Sequence, residues 1–178
     1  MPTHAEQVSR RLQHRHYMTK LIFLDFDGVL NSQLWYIETK GKRELDDLDT
    51  SAIERLNNLI KRTDAKVVVT STWRLSRTIE ELQATLDRNG FKGEVVGKTR
   101  DLRIGEHGDC ILRGNEILCF MKENPTLLGC YYPDYRHYVI FDDDSDMLYW
   151  QRNNYIHCDP YCGLTPNNVY HAERILNS

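Results

Sequence analysis

The chain has 178 residues and a formal net charge of −3, from 23 basic and 26 acidic side chains. Hydrophobic residues make up 40% and charged residues 28%, an ordinary balance for a globular protein, and the slight acidity argues against unspecific coating of nucleic acid. No apolar run suits a membrane span or a secretory signal, and the five cysteines form no dense framework, so we expect a cytoplasmic protein.

Residues 1–19 have the composition of a solvated tail. Histidines and arginines interleave there with the single acid Glu6, and no hydrophobic period develops. We therefore place no catalytic residue in this segment and expect one compact catalytic domain over residues 20–178. Contact of the basic tail with an anionic partner is the alternative.

Three short, continuously apolar runs end in polar residues, and such runs predict central strands that are buried on both faces. They are Leu21–Leu24 before Asp25, Val67–Val69 before Thr70, and Tyr138–Phe141 before Asp142. Weaker patterns predict two further strands at residues 94–97 and 155–157. The polar residues that follow the three main runs are the first candidates for a functional site.

Helical patterns alternate with these runs. Helices are predicted at Ile53–Ile60 with Ser51 and Glu54 as a capping box, at Ile79–Leu86, at about Arg113–Glu123, near Met147–Trp150, and after Thr165-Pro166. This alternation predicts right-handed crossovers and an α/β, Rossmann-like three-layer sandwich with a central parallel sheet. Such sheets bind ligands at the carboxyl ends of their strands, where the polar residues named above lie.

The first of these strand ends carries two acids. In Asp25-Phe26-Asp27-Gly28 both carboxylates face the same side of an extended chain, and Gly28 allows a sharp turn. Carboxylates so close resist joint ionisation unless a cation lies between them or one keeps its proton. One acid can then attack a phosphoryl group while the other transfers a proton, although a strand that ends in a polar turn is the plain alternative.

The segment Leu21–Leu30 resembles the first motif of the haloacid dehalogenase (HAD) superfamily. In that superfamily the first aspartate forms an aspartyl-phosphate and the second acts as general acid and base. The resemblance therefore implies a magnesium-dependent phosphatase with Asp25 as nucleophile and Asp27 as acid and base.

The segment Thr70–Arg74 is similar to the second motif of the superfamily, a serine or threonine that hydrogen-bonds the transferring phosphoryl group. A hydroxyl donor can bind phosphoryl oxygens without adding charge. Thr70 is the first choice for this role and Ser71 the second. For Arg74 the two possible partners are a substrate phosphate and an acid on the surface.

The segment Asp142–Asp146, with four acids among five residues, resembles the acidic motif that completes the magnesium site. Mg²⁺ prefers hard oxygen ligands in octahedral geometry. The implied ligands are Asp25, Asp27 through its backbone carbonyl, Asp142 and Asp143. For Asp146 the alternatives are binding through water and capping of the next helix.

The remaining motif of the superfamily is a basic residue, usually lysine, that offsets the charge of the nucleophile and the phosphoryl group. Arg113 has the expected position at the start of a helix but is the less usual residue type. Lys98 is of the usual type but lies in a stretch without clear periodicity. Both stay candidates for phosphate binding.

Neither position where this superfamily inserts lids has a domain-sized insertion, so we expect a minimal cap or none. The resulting open site favours large phosphorylated substrates, and Trp35, Tyr36 and Trp73 could either stack on a base or pack locally. Together with Arg113–Ile117, the motifs are similar to HAD domains in bacterial multidomain RNA-repair proteins, over nearly all of residues 19–178.

That second resemblance implies a nucleotide or nucleic-acid end as substrate. The broader alternative is a general phosphomonoester hydrolase. A domain that keeps the fold and binds phosphate or nucleic acid without turnover is the non-catalytic alternative.

Overall fold

The computed structural model describes residues 19–40, 42–102, 112–129 and 135–178. The predicted tail lies outside these ranges except for Thr19, as do residues 103–111, which include most of the stretch without clear periodicity that follows Lys98. No helix within the described ranges combines the length and apolarity needed to cross a membrane.

The centre of the domain is a sheet of parallel strands in the order β3-β2-β1-β4-β5. Their bounds are β1 Leu21–Leu24, β2 Lys66–Val69, β3 Val95–Lys98, β4 Tyr138–Asp142 and β5 Tyr155–His157. The three continuously apolar runs form the three central strands, as predicted, and the two weaker patterns form the two outer strands, β3 and β5. This arrangement confirms the predicted α/β, Rossmann-like fold.

Helices connect the strands and cover both faces of the sheet. Their bounds are α1 Gln33–Glu38, α2 Thr50–Thr63, α3 Ile79–Arg88, α4 Arg113–Glu123, α5 Pro125–Leu128 and α6 Pro166–Leu176, with 3₁₀ helices at Thr72–Leu75 and Tyr149–Asn153. Alternate residues of β1 separate two cores: Ile22 and Leu24 pack with α2, α3 and α6, whereas Leu21 and Phe23 pack with α4 and α5. The result is a three-layer sandwich.

Several local predictions were wrong in detail. Asp49, not Ser51, caps α2, because its side chain accepts the amide of Ser51 at 2.8 Å. The segment predicted as a helix near Met147–Trp150 forms the 3₁₀ helix Tyr149–Asn153, and α1 was not predicted at all. α1 has six residues and buries none of them, so it leaves no apolar stripe in the sequence.

The strand register aligns the polar strand ends. Leu24 of β1 lies beside Val69 of β2 on one side and Phe141 of β4 on the other. The residues that follow, Asp25, Thr70 and Asp142, therefore come to the same edge of the sheet. This edge is formed by the carboxyl ends of the strands, where α/β proteins bind ligands.

A buried ion pair fastens β2 to the helical layer beneath the sheet. Arg74 Nη2 lies 2.5 Å from Glu116 Oε2, and the two side chains are only 5% and 6% exposed. The same guanidinium donates to the backbone carbonyl oxygens of Thr99 and Ser71, at 2.9 and 3.0 Å. The sequence offered a substrate phosphate or a surface acid as the partner of Arg74, whereas the structure provides a buried acid.

Arg74→Met should therefore lower the free energy of unfolding by about 3–5 kcal/mol, because it leaves the Glu116 carboxylate buried without its cation. Urea titration at neutral pH measures the loss. The matched control is Arg62→Met, which breaks an exposed pair with Glu173 and should cost less than about 1 kcal/mol. Similar losses in the two variants would contradict a structural role for the buried pair.

Candidate active site

Three carboxylates converge at the carboxyl ends of β1 and β4. Asp25, Asp142 and Asp143 each offer an oxygen, and these atoms all lie within 4.8 Å of one another. Asp25 is 6% exposed and Asp142 is fully buried, whereas Asp143 is half-buried. The backbone amide of Asp25 donates to the carbonyl of Phe141 at 3.0 Å, which holds the two strand ends together.

Gly28 makes room for this cluster. Its φ of +77° is in the left-handed region, and a Cβ at this position would overlap the carboxylate of Asp143. The amide of Gly28 donates to the carbonyl of Asn31 at 2.9 Å, which closes the turn after β1. Any other residue at position 28 would strain the backbone and displace Asp143.

Arg113, the first residue of α4, supplies a positive charge to the cluster. Its Nη1 lies 3.2 Å from Asp25 Oδ1, and its Nε lies 3.4 Å from Asp142 Oδ2. Nη1 also donates to the carbonyl of Thr70 at 2.8 Å. Of the two basic candidates from the sequence, the structure thus brings Arg113 to the acids.

Lys98 lies elsewhere. It is the last residue of β3 rather than part of an irregular loop. Its Nζ donates to the backbone carbonyls of Arg74 and Arg77, at 2.8 and 2.5 Å. Within the described residues, Lys98 therefore holds the turn after β2 and takes no part in the acid cluster.

The electrostatics of the cluster show a shortage of positive charge. Burial raises the pKa of Asp25, although Arg113 and the amide of Phe26 act in the opposite direction. Burial and the charge of Asp25 together raise the pKa of Asp142 to about 8. Burial also raises the pKa of Asp143. A bound cation would favour the ionised form of all three groups.

The donor set suits Mg²⁺. Hard carboxylate oxygens are the protein ligands that this ion prefers, and the site offers three at one edge of the sheet. In the described part of the chain, Asp142 Oδ2 is fully buried and accepts no hydrogen bond, since Arg113 Nε, at 3.4 Å, is an ion-pair contact only. A divalent cation at this position would satisfy an oxygen that is otherwise costly to bury.

Two further acids that the sequence suggested as ligands point elsewhere. Asp146 Oδ2 accepts the backbone amide of Arg113 at 2.8 Å, so it caps the start of α4, which precedes it in the chain, and not the next helix as the sequence suggested. The side chain of Asp27 is exposed and lies outside the cluster of three. Only a backbone contribution from Asp27, as the sequence suggested, stays a prediction.

Two aromatic donors hold the carboxylate of Asp27. Trp73 Nε1 donates to Asp27 Oδ2 at 2.9 Å, and the hydroxyl of Tyr36 donates to Oδ1 at 3.3 Å. The Trp73 ring also packs edge-on against Phe26, with centroids 5.3 Å apart. The sequence named both aromatic residues but not this role, because it gave no sign of α1, which carries Tyr36.

The two hydroxyl candidates differ in their surroundings. The Ser71 side chain hydrogen-bonds the carboxylate of Asp25 and thereby counteracts the raised pKa of that group. The Thr70 hydroxyl is completely buried, without a hydrogen-bond partner among the described residues. The structure thus places the second choice, Ser71, against the predicted nucleophile.

A cavity of about 580 Å³ opens at the amino ends of the strands, opposite the acid cluster. It lies where β4 and β5 begin, and it is lined by basic and amide side chains such as Arg136, His137 and Arg174. None of the described residues that line it is acidic. Its position at the amino ends of the strands separates it from the acid cluster.

The parallel sheet, with acids at the ends of two adjacent central strands, defines an α/β domain of the HAD type. More narrowly, the chain belongs to the family described as the HAD domain in Swiss Army Knife RNA repair proteins, whose model matches residues 21–169. This match confirms the resemblance inferred from the motifs. Comparisons with curated proteins and with solved structures return no match.

Asp142→Asn should raise the free energy of unfolding of the metal-free protein at neutral pH, by an amount on the order of a few kcal/mol. Its ordinary pKa of 3.8 means that the unfolded chain is ionised at neutral pH, whereas the folded protein holds the proton up to about pH 8. The carboxyl therefore lowers stability progressively as the pH rises between these values, and the amide does not.

Urea titrations with a chelator at neutral pH and near the ordinary pKa measure this effect, which should disappear at the lower pH. Asp144→Asn is the matched control, because Asp144 is exposed and the chemical change is the same. Equal responses of the two variants at neutral pH would refute the burial argument.

Proposed function

We propose that this domain is a magnesium-dependent phosphomonoester hydrolase that works through an aspartyl-phosphate on Asp25. The observation that carries the proposal is the convergence of Asp25, Asp142 and Asp143 around one point, with Arg113 beside them. Membership in the HAD family supports a hydrolase of this type.

In the first half-reaction, an Asp25 carboxylate oxygen attacks the phosphorus atom, and the bond from phosphorus to the leaving oxygen breaks. Asp27, in its protonated form, gives its proton to that oxygen. In the second half-reaction, Asp27 takes a proton from a water molecule that attacks the same phosphorus. The phosphorus bond to Asp25 then breaks, which releases phosphate and restores both carboxyl groups.

The surroundings of the two acids suit these different roles. Asp25 is buried beside cationic and hydroxyl donors that can also contact phosphoryl oxygens, namely Arg113 and Ser71. Asp27 is exposed, so a leaving group and a water molecule can both reach it. Bound by Asp25, Asp142 and Asp143, Mg²⁺ would supply charge neutralisation and orient a phosphoryl oxygen.

Asp25→Asn should abolish magnesium-dependent hydrolysis of an aryl phosphate, to below about one-thousandth of the wild-type kcat, because the amide cannot act as the nucleophile. Phosphate release is measured with added Mg²⁺ and again with a chelator, which should stop the wild-type enzyme. Asp144→Asn, at the exposed acid, should retain activity. Full activity of the Asp25→Asn variant would contradict the proposed mechanism.

A nucleic-acid or nucleotide end is the second, narrower candidate for the substrate. It is favoured by the family match, whose description names RNA repair proteins. The absence of a bulky element over the acids, within the described residues between β1 and α2, also fits a large substrate. There the chain forms only the six-residue helix α1 and the connections around it.

If the substrate is a nucleic-acid end, a phosphorylated oligoribonucleotide should inhibit hydrolysis of the aryl phosphate at concentrations at least about tenfold lower than a sugar phosphate does. The unphosphorylated oligonucleotide is the control for backbone binding alone. Equal inhibition by sugar phosphate and oligonucleotide would favour the broader hydrolase. Oligonucleotide binding without phosphate release from any substrate would indicate a non-catalytic domain.

A further inference from the structure

A cavity of about 310 Å³ opens between Asn31, Tyr36, Trp73 and the residues around Arg43. Two of its walls are Tyr36 and Trp73, the same residues that donate hydrogen bonds to the Asp27 carboxylate. In the proposed reaction, Asp27 protonates the leaving oxygen. The organic group attached to that oxygen must therefore lie next to Asp27, and this cavity is the adjoining space.

The walls offer flat surfaces. The Tyr36 ring carries the guanidinium of Arg43 at 4.1 Å from its centroid, and Arg43 itself lines the cavity. Trp73 forms a further wall with its indole, one face of which already carries the guanidinium of Arg77, at 4.4 Å from the ring centroid. Aromatic rings and guanidinium planes are the surfaces on which proteins stack nucleobases.

Asn31 adds an unused hydrogen-bond acceptor. The residue lines the cavity but is only 2% exposed, and within the described ranges its Oδ1 has no hydrogen-bond partner. Because this oxygen is itself buried, a ligand donor such as a ribose hydroxyl or a base amino group reaches it only after the side chain turns toward the cavity. Such a bond would recover the free energy that an unpartnered acceptor costs.

The charges of the lining restrict what else can enter. Glu44, Asp46 and Asp47 outnumber Arg43, the cation of the lining. Asp46 is paired with Arg77, and the Asp47 carboxylate accepts the backbone amide of Glu44 at 2.6 Å. An acidic lining repels further phosphate groups but accepts hydrogen bonds from uncharged donors. The cavity is therefore suited to a neutral group that is flat and carries donors.

We propose that the cavity formed by Tyr36, Trp73, Asn31 and Arg43 beside Asp27 is the leaving-group site, and that it takes the nucleoside of a terminal phosphomonoester. This inference rests on the hydrolase function proposed above. It makes a nucleoside monophosphate the preferred substrate. Aliphatic phosphates would leave the stacking walls unused, and polyphosphates would meet the acids.

The test compares kcat/KM for adenosine 3′- and 5′-monophosphate, assayed separately, with that for glycerol phosphate. One of the two nucleotides should be preferred by about tenfold or more, the size of effect that stacking of one base supplies. Tyr36→Phe and Tyr36→Leu form the matched pair. Both remove the hydroxyl that reaches Asp27, so both should lower turnover of glycerol phosphate equally, but only Tyr36→Leu removes the ring.

We expect Tyr36→Phe to keep the preference for the nucleotide and Tyr36→Leu to lose most of it. Tyr36 lies on a helix without buried residues, so both variants should fold, which urea titration verifies. If Tyr36→Leu fails to fold, Arg43→Ala at an exposed position is the second variant, with the same expected loss of preference. Wild-type enzyme that hydrolyses glycerol phosphate as efficiently as both nucleotides would overturn this inference but leave the hydrolase intact.

Calorimetric titration separates the two proposals if no phosphate is released from any substrate. That result would end the hydrolase proposal, but the cavity would still be tested by the binding of adenosine monophosphates to the Tyr36→Phe and Tyr36→Leu variants. Weaker binding to Tyr36→Leu, and no tighter binding of adenosine triphosphate than of the monophosphate, would support the leaving-group site. Equal binding to both variants would refute it.

Discussion

The mutual repulsion of three carboxylates at one edge of the sheet is the constraint on which the site depends. Arg113 is the nearest compensation, since it lies between Asp25 and Asp142. Burial alone would lower the pKa of Arg113, but the charges of Asp142 and Asp25 outweigh burial and raise it. Asp146 in turn fixes the start of α4 by accepting the amide of Arg113. Asp146, which lies outside the cluster, thus positions Arg113, the cation that contacts it.

The acids are brought together by the register of the parallel strands, since they are far apart in the sequence. β1 pairs in parallel with β2 and with β4, so Leu24 meets Val69 and Phe141, and the next residue of each strand reaches the same edge. Apolar side chains on both faces hold that register, since a slip by one residue would exchange the residues of the two cores. The burial of the strands and the convergence of the acids are therefore two results of the same pairing.

The sequence was sufficient for features that depend on local runs. An apolar strand followed by acids is visible in four to six residues, and parallel pairing then brings Asp25 and Asp142 together. The sequence did not predict the partner of a long side chain that has several polar groups within reach. Lys98 binds carbonyls of the turn after β2, and Arg74 binds a buried acid, because the docking of α4 and the path of the turn decide their environments. No local pattern encodes either of these.

Asp25 and Asp27 show how one short motif acquires two environments. Asp25 is buried among charged groups, and its burial raises its pKa. Asp27 is exposed and held by two uncharged donors, Trp73 and Tyr36. Because these donors also wall the adjoining cavity, a group bound there would contact the residues that orient the acid. Recognition of the leaving group and orientation of its proton donor would then depend on the same two side chains.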